Sequence, residues 1–550
     1  MFDSGGTNMS LNASTLATAL DAAAEEASRL APFLNDLDGW NGSDCDTGSN
    51  AHLTLLAMAV SLRSMDPRSS FAAALDVAVD SGIRQGVGHV GILLTGLMAT
   101  WAHALESEPA QLTPIAIRRM LSASAADEFF RIDASTAVHE MLTSARTELA
   151  DMGQTLLDEA DVVSRFSSQA QVGLIEATNE HTGRIDAGGA VLALVLTCLD
   201  CAIRQDAGML ESLAQMLADL AQTTEAGTPA PQTPPAGRDF TVDIIWQGGS
   251  DGLTELVANL CSLGARLSYV GRVDLFGLGE WRLHVDTAAP LAILPRTGRT
   301  LRFQVADARP DDQIGVDDLA DEGLTHRGIR LLQRRPMRRV ERARVIACTR
   351  APGIIEDMAR AGAIVFYDPQ PQDAPGLWQA AASSSTGITL IAPCDEASAQ
   401  LASVVAPMVP AVSGKDGSVH PGLLIAETTD DLSVLLVSQA CAPLFVPQPG
   451  GREVAATMLT MLRDTAHLAT SDSVITRIPD DLDQSVTAQA VAMIRAAGST
   501  RCKILLNREC DGPLVTATLR QLLGFDAPSV VDLEVRDGGH HGPTLLQGLG

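Results

Sequence analysis

Asp38-Gly39-Trp40-Asn41-Gly42-Ser43-Asp44-Cys45-Asp46-Thr47-Gly48-Ser49-Asn50 places three carboxylates within nine residues, then follows them with hydroxyls, a glycine and an amide. Asp44 and Asp46 are two apart, so an extended or looped backbone projects both to one side. Asp38 can fold back over the glycine-rich turn to join them. Three acids on one short loop repel each other unless a cation lies between them. Hard oxygen donors suit Mg²⁺, which keeps waters and bridges to phosphate. Thr47-Gly48-Ser49-Asn50 offers small side chains and backbone N–H groups just before the apolar segment Leu53 to Leu62. A helix N-terminus of that make-up attracts anions. Carboxylates for metal beside amides for phosphate is the layout of a nucleotide site. Spacing alone leaves open a plainer reading, an acidic turn that caps the next helix.

Outward from this stretch, residues 11–225 read as helix after helix. Apolar residues recur at helical spacing, as in Met209, Leu210, Leu213, Met216, Leu217 and Leu220. Two more loops lie among these helices. Gln85-Gly86-Val87-Gly88-His89-Val90-Gly91 puts three glycines at a helix start, where backbone can approach a phosphate or simply turn between packed helices. His89 can donate a hydrogen bond; an exposed loop histidine is the plain alternative. Gly183-Arg184-Ile185-Asp186-Ala187-Gly188-Gly189 precedes a strongly apolar helix, with Asp186 placed to cap it.

These three loops carry a family resemblance. The run Leu34 to Asn50, LNDLDGWNGSDCDTGSN, resembles without a gap the LNxLNVFPVPDGDTGTNM signature of the nucleotide-binding subunit of bacterial fatty-acid kinases. It is similar, more distantly, to the L subunit of dihydroxyacetone (glycerone) kinases. The second loop aligns with GARGNSGVIL and the third with GVVDAGGQGL of the same subunits. The resemblance implies an N-terminal all-α eight-helix barrel of the dihydroxyacetone kinase L type, followed by α/β domains. It implies ATP and two Mg²⁺ ions as cofactors, the metals held by Asp38, Asp44 and Asp46. Thr47, Gly48, Ser49, Asn50, Gly88, His89 and Gly91 would lie at the phosphates. Asp186, Gly188 and Gly189 would close over the nucleotide. The implied activity is transfer of the γ-phosphate to a fatty-acid carboxylate presented by a lipid-binding partner protein, with pairing into a homodimer. Phosphoryl transfer of this kind needs positioning and charge neutralisation more than covalent chemistry. A carboxylate acceptor has no proton to lose, so no base is assigned.

Departures are as specific as the matches. Cys45 stands in place of a glycine, and His89-Val90 in place of an Asn-Ser pair that contacts phosphate. Of two C-terminal motif loops, the one at Asp368 to Pro375 is unrecognisable and the one at Ile391 to Glu396 keeps only its proline, Pro393. The family's middle domain has Cys and His residues suited to zinc. Here Thr241 and Asp286 occupy two of those places, leaving His284, and one His with one Asp makes a poor zinc site. No zinc is expected there. Two other readings stay open: a diverged, non-catalytic nucleotide- or partner-binding regulator, and a dihydroxyacetone kinase-like phosphotransferase.

Length and composition frame the rest. A chain of 550 residues is too long for one core. The boundaries read as 1–225 for an all-α nucleotide-binding domain and 226–239 for a linker with four prolines. Residues 240–308 read as a small α/β domain, 309–342 as an acidic then Arg-rich linker, and 343–550 as a C-terminal α/β domain with room for two lobes. His326 to Arg344 holds eight arginines, read as a solvated segment answering acidic neighbours. His540-His541 reads as a tail turn. A net charge of −28 argues against a nucleic-acid or anionic-membrane surface. Cys198 and Cys201 lack a second pair at metal spacing and read as buried thiols. The polar N-terminus is unlike a signal peptide, and apolar runs such as Ala190 to Leu196 fall short of a membrane span. A cytoplasmic protein is expected.

Overall fold

The computed structural model of the chain describes residues 10–38, 46–106, 108, 112–123, 130–131, 136–151, 158–182, 185–223, 237–308, 313–315, 323–332, 337–339, 342–384, 386–414, 417–447, 454–471, 473–479, 484–499, 501–523 and 532–549. Up to Thr223 they form α1 (Ala13–Asp38), α2 (Thr47–Leu62), α3 (Phe71–Gln85), α4 (Gly88–Ala104), α5 (Pro114–Ser122), strand β1 (Phe130–Arg131), α6 (Thr136–Asp151), α7 (Glu159–Ala177), α8 (Ala187–Arg204) and α9 (Gly208–Thr223). Each helix read from apolar spacing is present, with shifted ends. Starts move because a first turn is polar or glycine-rich and leaves no apolar mark, as at Thr47 to Asn50. Side-chain caps set several of them: Ser70 Oγ accepts from Ala73 N at 3.2 Å, and Asp158 Oδ1 from Asp161 N at 2.8 Å.

Helix α8 is the core of this region. It is long and apolar enough to cross a membrane, yet 89% of it is buried inside the protein. Cys198 and Cys201 are free thiols within it, as read, and burial pushes the Cys201 thiol up to about 12. Asp200, also buried, accepts from Arg204 Nε at 3.1 Å.

Beyond residue 237 the chain turns to sheet. In order come β2 (Phe240–Gly249), α10 (Ser250–Ser262), β3 (Arg266–Val273), β4 (Leu278–Thr287), β5 (Arg299–Asp307), β6 (Gln313–Gly315), β7 (Gly323–His326), β8 (Ile329–Leu332), β9 (Met337–Arg339), β10 (Arg344–Thr349), α11 (Ile355–Arg360), β11 (Ile364–Tyr367), α12 (Ala374–Ala382), β12 (Thr389–Ala392), α13 (Glu396–Val405), β13 (Val412–Ser413), β14 (Val419–His420), β15 (Leu423–Ile425), α14 (Asp431–Cys441) and α15 (Ala455–Ser471). One nine-stranded sheet has the order β1-β3-β4-β2-β5-β11-β10-β12-β15. It is antiparallel from β1 to the β5–β11 pair and parallel from β11 to β15. The stretch 240–308 and the first part of 343–550, read from the sequence as separate domains, therefore share one sheet and one core. The seam is the pair Val305↔Val365, both fully buried. Strand β1 reaches out of the helical region to pair with β3 at Phe130↔Val270.

The last lobe comprises β16 (Ser473–Ile478), α16 (Gln484–Ala496), β17 (Arg501–Leu506), α17 (Gly512–Leu523), β18 (Asp532–Asp537) and β19 (Thr544–Leu549). Its sheet runs β16-β19-β17-β18. His540 and His541 do lie in a turn, but that turn leads into β19, an inner strand that the sequence reading missed. The apolar run Leu444 to Val446, which reads as a short buried strand, forms only a bridge between Phe445 and Arg342. Pro443 and Pro447 flank it and withhold the N–H groups a ladder needs.

Candidate functional site

Three loops singled out by sequence begin three neighbouring helices. Asn50, in the first turn of α2, is buried against Gly88, the first residue of α4: a Cβ on Gly88 would stand 2.6 Å from Asn50 Nδ2. Gly88 has φ +63°, a conformation that favours glycine. Thr54 Oγ1 accepts from Val87 N at 3.0 Å and would meet a Cβ on Gly91 at the same distance. A Cβ on Gly188, in the first turn of α8, would lie 3.6 Å from Leu93 Cδ2 of α4. The first turns of α2 and α4 thus meet, and the first turn of α8 lies against the second turn of α4; a helix leaves the first N–H groups at such an end unpaired within itself.

Several predicted ligands are already committed to the fold. Ser49 N donates to Asn35 Oδ1 at 3.1 Å, and Ser49 Oγ accepts from Asn35 Nδ2 at 2.9 Å. Gly48 lies where any Cβ would come within 2.8 Å of Ala31 Cα. Asp186 caps α8 as read, its Oδ1 accepting from Gly189 N at 2.7 Å, and Gly189 leaves room for Leu174. Asp46 is the N-cap residue of α2 but makes no side-chain capping bond, contrary to the plain capping reading. Asp46, Thr47, Asp186 and Gly188 are partly exposed. Asp44 falls outside the described residues, and Asp38 is described only as the last residue of α1.

His89 departs furthest from its expected place. It is not the exposed loop histidine of the plain alternative but is half-buried. Its ring enters the polar face of the sheet, where Nδ1 lies 2.9 Å from Ser268 Oγ and Nε2 lies 3.3 Å from Asp286 Oδ2. That face follows from strict alternation in β4, Trp281-Arg282-Leu283-His284-Val285-Asp286. Trp281, Leu283 and Val285 enter the core, while Arg282, His284 and Asp286 share the opposite side. Asp243 on β2 receives Arg282 Nη2 at 2.9 Å and stands 3.1 Å from His284 Nδ1. Arg302 on β5 donates Nη1 to the carbonyl of Arg84 at 3.1 Å and Nε to Asp373 at 3.1 Å. Gln379 donates to the carbonyl of Gln85. The α3–α4 turn is therefore seated on buried polar and charged side chains from three strands and a helix.

The electrostatics of this nest are coupled. Burial alone would raise the Asp286 carboxyl, but the His89 hydrogen bond and the charges of His284, His89 and Arg266 hold it down to about 2. Asp243 is likewise pushed well below the carboxylate range: burial opposes this, and Arg282 and His284 prevail. Burial, then the neighbouring His284, lowers His89. Among the described residues, Nε and Nη1 of the buried Arg282 find no hydrogen-bond partner.

The sequence reading counted one His and one Asp here and excluded zinc on that count. The structure adds a third donor from the helical region. His89, His284 and Asp286 bring their ligand atoms within 4.8 Å of one another. Two imidazoles and a carboxylate form a donor set that fits zinc. Thr241 is the cross-strand neighbour of Asp286. Comparison with models of known protein families finds no match, and comparison with curated proteins finds no relative.

Proposed function

We propose that the chain is an ATP- and Mg²⁺-dependent kinase subunit of the fatty-acid kinase type, with its nucleotide phosphates at the shared mouth of α2, α4 and α8. One observation carries this reading: three loops far apart in sequence open their helices side by side, with Asn50 against Gly88 and Leu93 beside Gly188. In this reading the helical region is an eight-helix barrel of the dihydroxyacetone kinase L type. Asp38, Asp44 and Asp46 hold two Mg²⁺ ions, and Thr47 with the partly exposed Gly188 borders the phosphates. Ser49, Gly48 and Gly91 serve by fixing the helices. When bound, Mg²⁺ neutralises charge on the transferring phosphoryl group. The acceptor is a fatty-acid carboxylate presented by a lipid-binding partner.

Thermal unfolding of the full chain with and without Mg·ATP tests this. Saturating ligand at a hundred times its Kd adds about 2.7 kcal/mol to stability. The wild type should shift upward only when Mg²⁺ is present, and Asp44→Ala should lose the shift. A wild type that ignores Mg·ATP ends the kinase reading. The second reading, a nucleotide-binding regulator without turnover, is favoured by the capture of His89 in the sheet. It predicts the shift without phosphoryl transfer to any lipid-binding partner.

A further inference from the structure

We propose that His89, His284 and Asp286 bind one zinc-class divalent ion at the seam between the helical region and the sheet, so that the metal joins α4 to β4.

Orientation is the main support. Each imidazole has its Nδ1 occupied by a neighbour, Ser268 Oγ at 2.9 Å for His89 and Asp243 Oδ1 at 3.1 Å for His284. Both Nε2 atoms are left facing the same carboxylate: His89 Nε2 lies 3.3 Å from Asp286 Oδ2 and His284 Nε2 lies 3.8 Å from Asp286 Oδ1. Two ligands about 2.1 Å from a tetrahedral zinc stand roughly 3.4 Å apart, close to the separation of each Nε2 from its Asp286 oxygen, and all three donors lie within 4.8 Å of one another. A carboxylate behind one histidine and a hydroxyl behind the other are the outer partners that fix tautomer and ring direction in metal sites.

The surroundings also suit an ion. The rings meet edge to face with centroids 4.3 Å apart, which brings two like groups together beside a single acid. A hydrogen bond between one histidine and Asp286 would need only one of them. The donor set of two nitrogens and one oxygen selects against Mg²⁺ and Ca²⁺, which take oxygen. Arg266 Nη1 stands 3.7 Å from Asp286 Oδ2 and competes for that oxygen. Three protein ligands leave a fourth position for water or a small anion. Among the described residues no other three His, Cys, Asp or Glu side chains form such a group.

The test uses the full chain, stripped with chelator and titrated with Zn²⁺ or Co²⁺. The wild type should take up about one ion, show the visible absorption bands of tetrahedral Co²⁺, and melt at a higher temperature once loaded. Asp286→Asn and His89→Ala should each weaken binding by more than about tenfold, since even outer partners of a zinc ligand carry that much. Far-UV circular dichroism of both variants checks that they fold, and Asp286→Asn, which retains a hydrogen-bonding side chain beside His89, carries the test if His89→Ala unfolds. A stripped wild type that takes up neither ion and shows no thermal shift overturns the proposal and leaves a hydrogen-bonded cluster. Unchanged uptake in both variants overturns it too, placing the metal elsewhere. The Mg·ATP shift is measured separately, so the nucleotide reading stands or falls without this one.

Discussion

Gly48 is held by packing before any ligand is considered. A methyl group there would press on Ala31 Cα and Leu34 Cβ, each 2.8 Å away, so α1 and α2 could not keep their spacing. Backbone cannot swing aside as a side-chain tip can. Gly48→Ala should therefore destabilise the chain by about 1–3 kcal/mol, the usual range for overpacking. Urea unfolding read by circular dichroism checks this; a loss below about 0.5 kcal/mol, the ordinary range for surface changes, would show that the helices give way. His89 teaches the converse lesson about legibility. Its partners Ser268 and Asp286 lie 179 and 197 positions away. Nothing in Gln85 to Gly91 announces them. The legible half was in β4, where alternate positions of a buried strand carry Arg282, His284 and Asp286. Such a face demands partners, and the reading weighed only Thr241, His284 and Asp286 of the strands, so a partner from the helical region went unseen.

At the scale of elements, the hairpin β7–β8 shows how part of the arginine-rich run is used. Its two-residue turn places Arg327 at φ +48° and Gly328 at φ +78°. Tight hairpins require positive φ at both positions, and arginine is a poor choice there. Glu26 of α1 supplies the reason: its Oε1 takes Arg327 Nη2 at 2.7 Å and its Oε2 lies 2.6 Å from His326 Nε2, with Arg29 3.5 Å away. Burial would raise the Glu26 carboxyl, yet the hydrogen bonds from His326 and Arg327 bring it from 4.5 down to about 2. A carboxyl lowered on folding stabilises the protein fully above its unfolded pKa, and that stability drains away as pH falls from 4.5 toward 2. Glu26→Gln should cost roughly 1.5–3 kcal/mol at neutral pH. Its deficit against wild type should shrink as acid is added through that window. Denaturation midpoints at a series of pH values read the gap, and a deficit that grows on acidification would rule out the ion pair as its source. Elements with a clear period were legible: the helices of the first region, and β2 to β5 by alternation. Helix α14 was not, because Asp431 to Cys441 is apolar on nearly every side and shows no stripe. Its capping box, Asp430 with Ser433, was the available signal.

Across the whole molecule, the regions are joined by strand pairing as well as by charge. Arg84 meets Glu280 at 2.9 Å and Arg272 meets Asp76 at 2.9 Å, but pairs this exposed contribute little singly. The β5–β11 pair matters more, because it makes an antiparallel half and a parallel half into one sheet. The sequence reading placed a linker at 309–342 and so a border between halves. Face alternation tells which side of a strand is buried; it does not tell which edge meets which. A chain opened between Gly315 and Gly323 would leave β5 bare on one piece and β11 bare on the other. Each bare edge invites promiscuous association. The two pieces made separately should precipitate, whereas made together they should co-purify as a reconstituted whole. Soluble, monomeric pieces would contradict this. Two polypeptides translated apart could then rebuild the protein, with complementary rims recognising each other in place of the severed covalent connection.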